Sequence, residues 1–514
     1  MAGIALAGVV LFACYLRQSR TIAVGSDGAS QALQAWDLLH GNVLLHGWWV
    51  TDVSFYTTEL PQYALIELAR GLSADVIHVA GAMTYTLLVL TAAFLARGNT
   101  RGGEGAVRAL LAAGIMLAPQ LGPATQTLVL SPDHTGTAIP VLLIFLLIDR
   151  VPAGWYVPVL VWLGLAGTAL ADAMTIFVAI IPLTLVCVIR MWRATVLDRE
   201  PLAACRRDAA LAAAAVLAIP AELAATAQIR AHGGWRVNGL HTGLAAGGQL
   251  LGNARLTIEG LLELFGADVF GATTAFGTFL AVVHLFGLVV AVVGAVTAAR
   301  RLLRRDHLIE SVLVVAIVID LAAYLAGGQA VNILSTREIA PVLPFAAVLA
   351  GRCLAPPCPA RRWWLGTVLA LYAAGLAYAA AQPPAAPQYA GLATWLRAHH
   401  LTAGLSGYHQ ANIVTLETGG AVVLRPVTEG AGGRLVPYAW NASAAWYDPA
   451  APAATFLVVP SPASTAATAP ADGPTAARAA ATFGPPAASY RYQEYEILVW
   501  RHGVNLLADL RPAE

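Results

Sequence analysis

The amino-acid sequence predicts an α-helical membrane protein that crosses the bilayer many times and ends in a small α/β domain. The composition is the first indication, since 58% of the 514 residues are hydrophobic and only 11% are charged, whereas about a quarter are charged in soluble domains. Apolar runs recur over most of the chain, as multiple spanning helices require. After residue 385, short alternating helix and strand patterns replace these runs.

The composition also excludes several classes of partner and cofactor. The net charge is +1, and no basic patch or nucleic-acid-binding motif is present, so nucleic acid is not an expected partner. Of the five cysteines, Cys353 and Cys358 are the closest pair in the sequence. Neither a second pair nor a histidine stands at zinc spacing from them. We therefore expect no metal and no cofactor.

Hydropathy predicts about eleven membrane spans. All basic residues are arginines, and they are concentrated in alternate loops, as the positive-inside rule requires of a cytoplasmic face. This pattern places the N-terminus in the cytoplasm and the segment after residue 385 outside, with Arg17 and Arg20 as exceptions. The predicted spans are 1–16, 76–96, 107–123, 135–149, 154–171, 173–190, 209–227, 273–298, 308–326, 338–352 and 363–381.

The same orientation leaves two long loops outside the membrane, 17–75 and 228–272. In the first loop, residues 30–40 and 60–71 have the pattern of short amphipathic helices, each ended by a glycine. Residues 244–265 have a similar pattern in the second loop. Short helices of this kind, placed between spans, usually lie in the plane of the membrane interface.

A proline-rich linker separates a predicted membrane domain, residues 1–385, from a C-terminal domain, residues 386–514, which is extracytoplasmic in this topology. Residues 461–488 are rich in alanine, proline and threonine, which indicates a flexible excursion. Elsewhere in this domain, helix and strand patterns alternate. The predicted helices are 389–400 and 409–418, and the predicted strands are 403–407, 421–427, 455–460 and 491–500.

Asp27 is the strongest candidate for a catalytic group because it follows the first span closely. A carboxylate at a membrane boundary is costly, so its default interpretation is functional. Asp27 could act as a general base on an acceptor hydroxyl, since desolvation makes a carboxylate more basic and a nearby cation keeps it ionised. The alternative is a helix N-cap, because Ser26 and Asp27 precede the 30–40 helix. Spacing alone supports both roles equally, and they can coexist.

Other polar residues fall on the same outer face. Asp133 and His134 stand in a Ser-Pro-Asp-His sequence at the mouth of the fourth span, and Asp172 lies in the tight turn between the fifth and sixth. Helix capping is the alternative for the first pair, and an ordinary turn for Asp172. Glu59 and Asp52 in the first outer loop could contact a substrate hydroxyl, although a solvated or capping role is more common for each.

Arg337 is the candidate anion-binding residue. It stands at the outer entry to the tenth span, against the inside bias of the other arginines. A guanidinium there can bind a phosphate bidentately at the level of the lipid headgroups. Snorkelling, or an ion pair with Glu338, is the alternative. His241, in the second outer loop, is a weaker candidate of the same kind, as are Arg236 and Arg255.

Together these residues resemble the GT-C superfamily of membrane glycosyltransferases, especially the bacterial relatives of protein O-mannosyltransferases and of the aminoarabinose transferases that act on lipid A. The family pattern has an acidic residue soon after the first span, a short helix, a Gly-Asp/Asn turn and a proline-containing segment. Here it corresponds to Asp27, residues 30–40, Gly41-Asn42 and Glu59-Leu60-Pro61. Two positions differ: many relatives have glutamate where Gly28 stands, and several have Lys-Pro-Pro in place of Glu59-Leu60-Pro61.

Two later motifs and the C-terminal segment extend the resemblance over most of the chain. Pro132-Asp133 is similar to a Pro-Asp pair at the mouth of the fourth span of the family. Arg337, followed by Pro341 and Pro344, is similar to the entry of a late span. The C-terminal segment resembles the small extracytoplasmic domains that many such enzymes carry.

The resemblance implies a glycosyltransferase that moves a hexose or pentose from a polyprenyl-phosphate carrier to a hydroxyl of a protein, lipid or glycan. Transfer would invert the anomeric carbon, on the outer side of a bacterial plasma membrane. Asp27 would be the general base, Asp133 and His134 would orient the sugar or the acceptor, and Arg337 would neutralise the departing lipid phosphate. A metal is not required, because the arginine can neutralise this charge. Further substrate-binding candidates are Glu59, Asp172 and His241.

A transporter or flippase for a lipid-linked sugar is the main alternative. It would require charges near the bilayer midplane and broken helices in matched halves of the chain. The predicted spans carry few charges, with Glu222 as the chief exception, and no internal repeat is evident. A non-catalytic scaffold that presents the C-terminal domain is a third possibility, but it leaves the polar residues around Asp27 without a role.

Overall fold

The computed structural model describes residues 2–130, 134–152, 154–237, 243–302, 304, 307–355, 363–461 and 473–501. The chain is mostly helical, with a bundle of apolar helices up to residue 380 and a mixed sheet with three helices after it. The helices are α1 (Ala2–Ser19), α2 (Ser26–Leu39), α3 (Glu59–Arg70), α4 (Asp75–Arg97), α5 (Gly102–Ile115), α6 (Pro123–Thr125), α7 (Ala138–Arg150), α8 (Tyr156–Ala171), α9 (Ile181–Trp192), α10 (Arg206–Ala231), α11 (Leu250–Leu264), α12 (Ala275–Ala299), α13 (Leu308–Ala326), α14 (Val342–Leu354), α15 (Trp363–Ala380), α16 (Ala390–Ala398), α17 (Tyr408–Glu417) and α18 (Ala476–Phe483).

Each of the eleven predicted spans overlaps one of these helices, but the helices differ in length. The bent pair formed by the 3₁₀ turn Ile333–Ile339 and α14 changes direction by 52°, and α1, α8 and α15 are shorter apolar helices. The described residues therefore support a multi-pass membrane protein, while the count of eleven spans is not confirmed. Five helical stretches are long and apolar enough to cross a membrane: Asp75–Arg97, Ile176–Leu197, Leu202–Ala231, Ala275–Ala299 and Leu308–Ala326.

Close backbone contacts at glycine residues hold the centre of the bundle together. In α14, every residue from Val342 to Gly351 is buried. Gly294 of α12 lies against the backbone of Ala350, where a Cβ would come within 2.7 Å. A Cβ added to Gly81 of α4 would come closer still to a backbone atom, at 2.2 Å from the carbonyl oxygen of Val129. Such small residues let helices approach one another within a membrane, where apolar side chains gain little by avoiding lipid.

A buried arginine ties several helices together at the C-terminal end of α14. The Arg352 guanidinium lies 2.9 Å from Asp149 of α7 and 3.0 Å from Glu310 of α13. It also donates a hydrogen bond to the carbonyl of Leu95 in α4. One cation therefore connects four helices of the bundle.

The named strands of the described residues form two sheets, of which the smaller joins the loops 17–75 and 228–272 to the C-terminal segment. In this sheet, β1 pairs in parallel with β2 and antiparallel with β6. Residues from both of these loops and from beyond residue 385 are therefore joined by backbone hydrogen bonds in one sheet. The strands are β1 (Trp48–Val50), β2 (Arg236–Val237), β3 (Ala403–Ser406), β4 (Val423–Glu429), β5 (Leu435–Pro437), β6 (Ala442–Ser443), β7 (Phe456–Pro460), β8 (Ala488–Tyr492) and β9 (Tyr495–Val499).

The larger sheet has six strands in the order β5-β4-β3-β7-β9-β8. The central strand β3 pairs in parallel with β4 and β7, and the outer pairs are antiparallel. Helices α16 and α17 precede β3 and β4, so the C-terminal segment has the mixed α/β character that the sequence predicts. Two strands, β5 and β8, were not predicted.

Part of the stretch predicted to be flexible, residues 461–488, is folded. Thr475 caps α18 through its side chain, and Ala479 is buried among apolar residues of the larger sheet. The hydroxyl of Thr482 accepts a hydrogen bond from the backbone of β5 at 2.8 Å. These contacts give an alanine-rich stretch a fixed place, which composition alone does not indicate. Residues 462–472 lie outside the described residues.

Candidate functional site

Helix α2, which follows the first apolar helix, positions Asp27. The helix begins at Ser26, earlier than the predicted residue 30, and its N-cap is Gly25 in an extended conformation without a side-chain cap bond. Asp27 is therefore the second residue of the helix, which corrects the interpretation of it as an N-cap. Its carboxylate still interacts favourably with the positive end of the helix dipole.

Asp27 borders a cavity of about 230 Å³ that distant parts of the chain build together. The walls come from the start of α2, from α4, from the π-helical turn after α6, from the 3₁₀ turn before α14 and from α17. The cavity combines a carboxylate, a guanidinium and a phenol with apolar side chains. Its lining residues are Gly25, Ser26, Asp27, Gly28, Ile77, Gln126, Thr127, Leu130, Leu334, Arg337, Tyr408 and His409.

Two opposite charges face each other in this cavity. Arg337 Nη1 lies 3.8 Å from Asp27 Oδ2, and the two side chains are 38% and 43% exposed. Arg337 Nε also lies 3.7 Å from Glu338 Oε1. The 3₁₀ turn that carries Arg337 is capped by Asn332, whose side chain accepts a hydrogen bond from the backbone. Both of these distances exceed that of a close charge-assisted hydrogen bond.

Tyr408, the first residue of α17, reaches Asp27 from the C-terminal segment. Its hydroxyl donates a hydrogen bond to Asp27 Oδ1 at 2.5 Å and accepts one from Asn441 Nδ2 at 3.1 Å. Burial and the neighbouring carboxylate raise the pKa of Tyr408 well above its ordinary value, so it remains a donor. Sequence reasoning missed Tyr408, because no local pattern indicates that α17 packs on α2.

Next to the cavity, His134 links two carboxylates. Its Nδ1 lies 2.7 Å from Asp172 Oδ2, and its Nε2 lies 3.0 Å from Glu338 Oε2. Thr137 Oγ1 donates a further hydrogen bond to Asp172. Burial alone would lower the pKa of His134, but the two carboxylates outweigh this effect and hold it well above its ordinary value. Because Glu338 follows Arg337 in the chain, this charged cluster fixes the backbone that presents Arg337.

Three residues predicted to bind substrate are buried and do not line the cavity: Glu59, His134 and Asp172. His134 and Asp172 form an internal ion pair with each other. Glu59 is 1% exposed, and burial raises its pKa to about 8. Gly136 lies so close to Glu59 that a Cβ there would overlap with its carboxylate. The substrate contacts expected of these three residues stay predictions.

Two further candidates, Asp133 and His241, lie outside the described residues, which omit 131–133 and 238–242. Within the ranges that the structure does describe, no group of three or more histidine, cysteine, aspartate or glutamate side chains could hold a metal ion.

Besides Glu59, the apolar bundle contains another buried acid: Asp320 of α13 is 4% exposed. The sequence indicated only Glu222 as a notable charge within the spans.

Comparisons with known proteins give neighbours in structure only. No family profile matches the chain, and no curated protein matches it. Two similar solved structures are crystal structures of the Archaeoglobus fulgidus oligosaccharyltransferase, one tethered with an acceptor peptide containing the NVT sequon and one in complex with Zn and sulfate. Both are 14% identical to this chain with a TM-score of 0.45, and each covers 81% of it.

The oligosaccharyltransferase in these structures is a glycosyltransferase with the GT-C fold. This chain covers 63% and 62% of the two neighbouring chains, which is less than two thirds of their length. The function is therefore inferred below from the residues of the cavity itself.

Proposed function

We propose that this protein is a glycosyltransferase that transfers a sugar from a polyprenyl-phosphate donor to an acceptor hydroxyl in the cavity beside Asp27. The observation that carries the proposal is the pairing of a carboxylate and a guanidinium 3.8 Å apart in one cavity, with each side chain more than a third exposed. A base and an anion-binding group are the two functions that transfer from a lipid phosphate requires.

Arg337 is the group that binds the donor phosphate. Its guanidinium can form two parallel hydrogen bonds with phosphate oxygens, which are stronger and more directional than bonds from an ammonium group. Apolar side chains of Ile77, Leu130 and Leu334 line the same cavity. They suit the hydrocarbon that adjoins the phosphate in such a donor.

Asp27 is the general base of the proposed step. It removes the proton from the acceptor hydroxyl while that oxygen forms a bond to the anomeric carbon of the sugar. On the opposite side of this carbon, its bond to the phosphate oxygen breaks, and the electron pair leaves with the polyprenyl phosphate. The anomeric carbon is inverted, Arg337 stabilises the charge that develops on the phosphate, and Asp27 later returns its proton to water.

The membrane topology of this proposal follows from the arginine distribution. With the N-terminus in the cytoplasm of a bacterium, the cavity opens on the extracytoplasmic side, where a membrane domain (1–385) meets a C-terminal domain (386–514). Asp133 adjoins His134 in the chain, and we propose that it orients the sugar or the acceptor. His241 would be a second contact from the other outer loop.

The proposal predicts that Asp27→Asn lowers turnover by at least about 100-fold, because the general base is lost while the shape of the side chain is kept. The measurement is the consumption of labelled polyprenyl-phospho-sugars by purified protein in detergent or nanodiscs. Asp37→Asn is the matched control. Asp37 lies on the same helix outside the cavity lining and accepts a hydrogen bond from Trp48, which the asparagine oxygen can still accept.

Two results would overturn the proposal. One is turnover by the Asp27→Asn variant at the parent rate. The other is movement of the intact lipid-linked sugar across vesicles by the parent protein without cleavage of the sugar–phosphate bond, which would identify a transporter.

A further inference from the structure

We propose that Tyr408 is a positioning residue for Asp27. The C-terminal segment then contributes a side chain that holds the catalytic carboxylate in place. This inference rests on the proposed role of Asp27 as general base. The hydrogen bond from Tyr408 Oη to Asp27 Oδ1 joins residues 381 positions apart in the chain. It is the contact through which α17 reaches the reacting carboxylate.

The direction of this hydrogen bond is set by a chain of three donors. Gln34 Nε2 of α2 donates to Asn441 Oδ1 at 3.4 Å, which orients the Asn441 amide. Asn441 Nδ2 then donates to Tyr408 Oη. With an amide donating to the phenol oxygen, the phenol proton points to Asp27. The series of hydrogen bonds runs from Gln34 through Asn441 and Tyr408 to Asp27, so both of its ends lie on α2.

The chain of donors is held in place from both sides. The backbone carbonyl of Asn441 accepts hydrogen bonds from Ser30 of α2 and Asn412 of α17. Asn441 is 2% exposed and has a positive φ of 47°, a conformation that asparagine tolerates better than most residues. The strand that begins at the next residue, β6, pairs with β1 of the first outer loop. The position of Tyr408 relative to α2 is therefore fixed independently of its own hydroxyl.

A hydrogen bond to one oxygen of a carboxylate has two consequences for a base. It prevents rotation of the carboxylate and so directs the second oxygen, Asp27 Oδ2, towards Arg337 and the cavity. It also stabilises the ionised form and keeps Asp27 deprotonated at lower pH. A residue with a purely structural role would have neither effect on the reaction.

The test is the pH dependence of kcat in Tyr408→Phe, which keeps the ring and removes the hydroxyl. On the acid side, activity falls as Asp27 becomes protonated. Without the phenol donor this fall moves to higher pH by about one unit, as expected for the loss of one hydrogen bond to a charged group. We also expect kcat at neutral pH to fall about tenfold while KM for the donor changes little, because Arg337 is untouched.

Two further variants separate positioning from folding. Tyr447→Phe removes another buried phenol of the C-terminal segment, which donates its hydrogen bond to the carbonyl of Pro426 instead of to Asp27, so its pH profile should match the parent. Asn441→Gly keeps the positive φ and removes only the amide, so its profile should shift in the same direction as Tyr408→Phe by a smaller amount.

The infrared band of the protonated Asp27 carboxyl, assigned by its absence in Asp27→Asn, gives a second readout that does not depend on turnover. The band should appear at higher pH in Tyr408→Phe than in the parent. An unchanged pH profile together with an unchanged band would overturn the role of Tyr408 and leave the proposed function standing. A parent protein without turnover would instead overturn the proposed function, while the band would still report on the contact between Tyr408 and Asp27.

Discussion

Two arginines of the bent pair formed by the 3₁₀ turn Ile333–Ile339 and α14 have contrasting surroundings. Arg352 is 11% exposed and lies 2.9 Å and 3.0 Å from two buried carboxylates. Arg337 is 38% exposed, and its partners Asp27 and Glu338 lie 3.8 Å and 3.7 Å away. The first arginine is enclosed by helices, and the second faces a cavity. The same side chain thus serves as a structural link in one place and as a candidate ligand-binding group in the other.

The comparison shows which charged clusters are candidates for function in a protein of this kind. A buried ion pair with short contacts has its hydrogen-bonding capacity used internally, and removing one partner leaves an uncompensated charge. A half-exposed pair contributes little to stability, and one that borders a cavity can also contact a ligand there. Asp27 and Arg337 belong to the second kind.

Arg352→Ala should have the largest effect on stability. We expect the free energy of unfolding to fall by about 3–5 kcal/mol, because Asp149 and Glu310 lose a buried partner. Denaturant unfolding of the purified protein in detergent measures this, with the exposed Arg397 mutated to alanine as control. Unfolding at the parent midpoint would contradict the structural role of Arg352.

Arg337→Ala should affect binding instead of folding. Loss of one bidentate contact with a phosphate should weaken donor affinity by about 100-fold, while the denaturation midpoint stays near that of the parent. Calorimetric titration with polyprenyl phosphate provides the measurement, and Arg337→Lys should recover part of the affinity because it keeps the charge. If the Arg337→Ala variant and the parent bind polyprenyl phosphate equally well, Arg337 is not the phosphate-binding residue.

Glu59→Gln should have the smallest effect of these three substitutions. The free energy of unfolding should differ least from that of the parent at low pH, and the difference should grow as the pH rises. The folded-state pKa of about 8 lies above the ordinary glutamate value, so the folded protein holds a proton that the unfolded chain releases. The stability that Glu59 contributes is present below the unfolded pKa and is lost as the pH rises through about 8. The glutamine variant lacks this loss and should become progressively more stable than the parent between pH 5 and pH 8. Thermal unfolding of both proteins across this range measures the difference. A difference in stability that does not change with pH would contradict the raised pKa of Glu59.

The sequence predicted those features that depend on local patterns. Apolar runs located the helices, because a span must be apolar over its length. Asp27 and Arg337 were identified from their positions at the ends of apolar segments, and the structure brings both to one cavity. The start of α2 was placed too late because Gly25 supplies no side-chain cap.

Features that depend on contacts between distant segments could not be predicted. Glu59 lies in a loop by its sequence, but α3 packs on α2 and α4 and buries it. Tyr408 belongs to a different part of the chain, and only the pairing of β1 with β6 and the packing of α17 on α2 bring it to Asp27. The span count also depends on helix lengths and bends that hydropathy does not define.

The small sheet of β1, β2 and β6 has a consequence for how such a protein can change over evolution. Its middle strand needs an edge from the second outer loop on one side and an edge from beyond residue 385 on the other. The terminal portion is therefore not a detachable module that could be exchanged for an unrelated one. A lineage that replaced it would also have to redesign the loop that contains Trp48, since that aromatic ring packs against Trp446.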